Sequence, residues 1–115
     1  MILRASWKAE YTKELENANK ARCEGYEGKA RVCARRAAGI VIGEYLHRRG
    51  VAELNHSTYE LLALFNSLPD VDEQCKAVSS HFLIKVNQQH DLPLQADLIE
   101  DAAWLENYLL HKGID

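Results

Sequence analysis

The chain has 115 residues, of which 47% are hydrophobic and 27% charged, enough for one core without metal or disulfide support. Its formal net charge of −3 hides an asymmetry, because residues 1–50 carry +5 and residues 51–115 carry −8. That balance excludes an overall nucleic-acid-binding charge but leaves room for a local basic face.

From about Ser6 to Cys23, apolar Trp7, Tyr11, Leu15, Ala18 and Ala21 recur at three- and four-residue steps, which predicts a first helix. Gly25 and Gly28 flank a break, and Tyr26 beside it reads as a packing anchor. A second helix is expected over about Lys29 to His47, with Ala30, Cys33, Ala34, Ala37, Ile40, Val41 and Tyr45 on a wide apolar face. Arg48 and Arg49 complement its last carbonyls, and Gly50 ends it as a glycine cap.

Ser57-Thr58-Tyr59-Glu60 is a capping box that opens a short helix containing Leu61, Leu62, Leu64 and Phe65. Behind Pro69, the pair Asp70 and Glu73 repeats the device, with Asp70 as the cap. The helix it opens is expected to reach about Gln88 and to bury Cys75, Val78, Phe82 and Val86. Asp91-Leu92-Pro93 breaks the chain again. A last helix, about Gln95 to His111, buries Leu98, Ala102, Leu105 and Leu109, with Trp104 and Tyr108 beside them.

No stretch alternates β-branched and polar residues between turn signals, so the expected class is all-α. Short loops imply an antiparallel, up-and-down bundle of four to five helices, a single domain over residues 1–115. The longest apolar stretch, Ala37 to Ile42, is far short of the roughly 20 residues that span a bilayer. With no export signal in the first residues and three cysteines lacking a CxxC pair, a cytoplasmic protein with reduced thiols and no membrane contact is expected.

The series Trp7, Leu15, Ala18, Ala21, Gly25-Tyr26, Ala30, Ala34, Ala37, Ile40, Tyr45-Leu46 and Gly50 resembles the first two long helices of HEPN domains. His56 in a short loop before the leucine-rich Leu61-Leu62 segment continues the match, which covers about residues 7–65. The resemblance implies a small helical bundle that dimerises and binds RNA or nucleotides. The alternative it implies is partnership with a small nucleotidyltransferase, often within a toxin–antitoxin or other defence system. Catalytic members of the family are metal-independent ribonucleases with an arginine, four to six residues and a histidine.

One pair here has that count, Arg49 and His56. A histidine can shuttle the 2′-hydroxyl proton while an arginine stabilises developing phosphate charge. A shuffled chain of this composition contains about one such pair. The pair also lies between the second and third helices, whereas the family motif lies further along. The expectation is therefore a non-catalytic, HEPN-like binding or assembly module. An endoribonuclease using Arg49 and His56, or an unrelated helical interaction domain, are the alternatives.

Arg31, Arg35 and Arg36 on the second helix are candidates for a phosphate-binding stripe, with Lys29 and either Lys20 or Arg22 nearby. A solvated face balanced by acidic residues such as Glu24 and Glu27, or by the acidic second half, is the favoured reading. Gly39 and Gly43 each cost about 1 kcal/mol inside a helix, so another helix is expected to approach them closely. For Gly39 a contact within the chain is favoured over one across a dimer, while Gly43 stays open. The five histidines show no HxxxH or HExxH spacing, and neither metal nor cofactor is expected. Asp97, Glu100 and Asp101 suit the positive end of the last helix.

Overall fold

The computed structural model describes residues 7–50, 57–83 and 97–112, and among them every regular element is helical. Helix α1, Trp7–Cys23, is built from good helix formers and buries Tyr11, Ala18 and Ala21. Trp7 and Leu15 lie half-buried against the same core, so the expected three- and four-residue face is the one used.

The turn after α1 is a Schellman motif. The Tyr26 amide donates to the Ala21 carbonyl at 2.8 Å, and the Gly25 amide donates to that of Arg22 at 3.1 Å. Gly25 has φ +87°, a backbone region that side chains with a Cβ rarely adopt. Gly28 takes no part in the break: it lies inside α2, Glu27–Arg48, which starts two residues earlier than its apolar pattern suggests. Tyr26 is 61% exposed, so it is not the packing anchor expected of it.

Helix α2 is the central element and packs against α1 and two later helices. Its first half buries small residues, Ala30, Cys33, Ala34 and Ala37, while Val41, Ile42 and Leu46 fill the second half. Alanines at 18 and 21 of α1 meet this surface, and small side chains on both helices permit a close approach. Gly50, at φ +69°, follows the final turn and donates its amide to the His47 carbonyl at 3.0 Å.

Helix α3, Thr58–Ser67, opens with the expected capping box. Ser57 Oγ accepts from the Glu60 amide at 3.2 Å, and the Ser57 amide donates to Glu60 Oε1 at 2.9 Å. Leu62 and Phe65 are buried, and Phe65 meets the Tyr45 ring edge-on at 5.6 Å.

Helix α4, Glu73–Ser80, corrects the assignment of its cap. Asp72, not Asp70, is the N-cap, with Oδ1 accepting from the Cys75 amide at 2.8 Å. Val71 is drawn into the core, which keeps the chain extended through Asp72 and delays the first helical turn. Glu73 is therefore the first helical residue, and Asp70 is left to pair elsewhere. After Ser80 a single 3₁₀ turn, His81–Leu83, carries the fully buried Phe82. Cys75 is buried and Val78 half-buried, while Val86 and Gln88 fall outside the described residues.

Helix α5, Leu98–Asn107, is capped by Asp97, whose Oδ1 accepts from the Ile99 and Glu100 amides at 3.0 and 3.3 Å. It widens into a π-helical turn, Tyr108–Lys112. Both Leu109 and Leu110 are buried there, as well as the expected Leu98, Ala102 and Leu105. The buried side chains of the five helices and the 3₁₀ turn form one cluster, and Ile42, Leu46, Leu62, Phe65, Phe82 and Leu105 are among its largest fully buried members. Each of these contributes about 1.5–3 kcal/mol by leaving water. Among the described residues no helix is long and apolar enough to cross a membrane.

Candidate functional site

Arg49 sits at the C-terminal end of α2, where its guanidinium is shared among three contacts. Nη2 pairs with Asp70 Oδ2, Nη1 donates to the Tyr45 hydroxyl at 3.1 Å, and the group lies 5.4 Å from the Tyr45 ring centre. Hydrogen bonding to Asp70 is the largest influence raising its already high pKa, and Tyr45 adds to it. His56, its expected partner, lies outside the described residues. Asp70 as a partner had no local signal, because 21 residues separate it from Arg49.

The three arginines in the first half of α2 have three different surroundings. Arg31 Nε lies 4.0 Å from the Glu27 carboxylate, one turn back. Arg35 donates from Nε to the Phe82 carbonyl at 2.9 Å and stands 5.3 Å over the Tyr59 ring. Its guanidinium thus ties α2 to the 3₁₀ turn and to α3. Arg36 lies about 100° further round the helix. It is exposed and faces α1, in a groove that also contains Lys20 and Lys29.

Gly39 and Gly43 of α2 mark the seat of α3. A Cβ on Gly39 would stand 2.8 Å from Thr58 Oγ1 and 2.9 Å from Thr58 Cγ2, closer than real contacts allow. One on Gly43 would stand 3.4 Å from Leu61 Cδ1, an ordinary contact. The first turn of α3 therefore rests on α2 through space that only glycine leaves at position 39.

Charged side chains tie the chain ends of the helices together. Arg22 Nη1 donates to both carboxylate oxygens of Asp97 at 3.0 Å, and Nε and Nη2 donate to Glu27 at 3.1 and 2.8 Å. Arg22 holds Glu27 below its usual range against the burial that opposes ionisation. For Asp97, burial is the largest single influence and acts upward, but Arg22 and the Glu100 and Ile99 amides together outweigh it and lower its pKa. His81 Nδ1 lies 2.8 Å from Asp101 Oδ2, joining the 3₁₀ turn to α5. The acidic start of α5 is thus engaged by a cap, an arginine and a histidine.

The Tyr108 hydroxyl donates to Asp72 Oδ2 at 2.5 Å, and this bond is the main reason the Asp72 carboxyl titrates low. Burial, then hydrogen bonding to Asp72 and its charge, pushes the Cys75 thiol up to about 12, so it is no thiolate nucleophile near neutrality. Cys33 is likewise buried, and Cys23 is exposed. Among the described residues no three His, Cys, Asp or Glu side chains gather as metal ligands would. Comparison with protein-family models, curated proteins and solved structures gives no match to this chain.

Proposed function

We propose that this chain is a non-catalytic, HEPN-like binding and assembly module. In this reading it is an antiparallel up-and-down bundle that works as a homodimer. Its partner is a nucleotidyltransferase-type protein within a toxin–antitoxin-type system, and RNA or a nucleotide is its ligand class. The all-helical architecture supports this, as does the three-residue turn between α1 and α2, which suits a helical hairpin.

The engagement of Arg49 carries the non-catalytic part of the reading. A catalytic arginine must be available to a phosphate in the transition state. Here the guanidinium is held by Asp70 and the Tyr45 hydroxyl and ring. Drawing it onto a substrate would break the Tyr45 hydroxyl and ring contacts together with the Asp70 pair.

Incubating the full chain with a mixed-sequence single-stranded RNA tests this directly. The expected result is intact RNA with and without chelator. Cleavage by the native chain that is lost in His56→Ala would contradict it and establish the metal-independent ribonuclease instead.

A further inference from the structure

A groove of about 250 Å³ opens between α1 and α2. Its depth comes from two small residues, Ala21 and Cys33, and its rim carries Lys20, Lys29 and Arg36. Asn17 and Glu24 complete the lining, so three cations face a single carboxylate. Among the described residues none of these three cations forms an ion pair, although α1, α2 and α5 contain many carboxylates.

Lys29 is the most telling of the three. It occupies the first turn of α2, where the amide dipole is positive and a cation is destabilising. Among the described residues neither capping nor an ion pair accounts for it. The dipole and the three side chains instead add up to one field of positive potential over the groove.

We propose that the groove binds a compact di- or triphosphate anion. Its volume lies just below the roughly 300 Å³ at which drug-sized ligand pockets begin, which suits a small polyanion. Two flexible ammonium groups can follow successive phosphates, and the Arg36 fork can take two oxygens of one phosphate. The Asn17 amide is available as a neutral donor, and Glu24 excludes anions that would sit toward the turn. The polyphosphate is either free or the tail of a nucleotide. This chemistry is independent of whether the chain dimerises or meets a nucleotidyltransferase.

Calorimetric titration of the full chain with sodium pyrophosphate at low ionic strength tests the assignment. Saturable one-to-one binding is expected, and each of Lys20→Gln, Lys29→Gln and Arg36→Gln should weaken it about tenfold, the loss of one charge-assisted contact. Glu24→Gln should tighten binding several-fold, while Glu100→Gln on α5 leaves it unchanged. Without ligand, Lys29→Gln should melt at a higher temperature than the native chain, which a purely stabilising lysine would not allow. Equal affinity for ADP and pyrophosphate assigns the free anion, and tighter ADP binding assigns the nucleotide. Absence of saturation at millimolar pyrophosphate overturns the proposal. So does binding unaltered by the three glutamine variants, or a response to single-stranded RNA alone.

Discussion

Arg22 and Asp97 are 75 positions apart, yet Arg22 Nη1 donates to both carboxylate oxygens of Asp97 at 3.0 Å. Asp97 is at the same time the N-cap of α5, so one carboxylate closes a helix and docks it on the end of α1. Arg22 also grips Glu27, the first residue of α2. Three helix ends therefore meet on one guanidinium.

Asp97→Ala should lower stability by about 1–2 kcal/mol in urea unfolding, because it removes a cap as well as an ion pair. Arg22→Ala, which loses only partly exposed ion pairs, should lower it by about 0.5–1 kcal/mol. The double variant should be less destabilised than the sum of the two singles, which shows the pair to be coupled.

Acid should weaken the fold through the same cluster. Asp97 and Glu27 have folded pKa values below their ordinary ones, so the stability they contribute is present above about pH 4–5. It is lost as the pH falls through the lowered values. Urea midpoints should hold between pH 7 and about pH 5 and then fall toward pH 3, less steeply in Arg22→Ala than in the native chain.

Alkali acts in the opposite sense. Burial is the main influence raising the Cys75 thiol and the Tyr11 hydroxyl to about 12, so the folded state keeps both neutral. Their contribution is complete below the unfolded values, about 8.5 and 10, and is lost as pH rises toward 12. Stability should begin to decline above about pH 9, and Cys75→Ala should flatten the first part of that decline.

Gly39→Ala should cost about 1–3 kcal/mol, because the new methyl overlaps Thr58, a stiff β-branched side chain. Gly43→Ala should be neutral or stabilising, since its methyl makes an ordinary contact and alanine gains helix propensity. Adding Thr58→Ala to Gly39→Ala should recover part of the loss. Thermal melting of the four chains checks all of these.

Asp72→Ala should lower the urea midpoint clearly, through the loss of a helix cap. Asp70→Ala should change stability by less than about 0.5 kcal/mol, as expected for an exposed pair. The reverse order in urea unfolding would place the cap at Asp70 after all.

The comparison of these two aspartates shows where sequence patterns lose their power. Ser57 and Glu60, like Gly25 and Gly50, act over a few residues, so their roles can be read from spacing. Asp70 and Asp72 both offer a cap to the same helix, and the burial of Val71 in a distant core decides between them. The α2 arginines follow the same rule. Helical geometry separates Arg36 from Arg31 and Arg35, but the Phe82 carbonyl that holds Arg35 lies 47 positions away. Lys20, Lys29 and Arg36 become a groove only when α1 and α2 are packed together. Tyr26 is exposed where a packing anchor is expected, because a turn aromatic is equally suited to packing or exposure and only the assembled turn distinguishes them.

Assembly is the claim on which the proposed function rests most heavily. Light scattering from the full chain at micromolar concentration, separated by size exclusion, measures it without assumptions about ligand. A mass of twice the 13.1 kDa of one chain is expected. A particle of 13.1 kDa that persists as concentration is raised would contradict it.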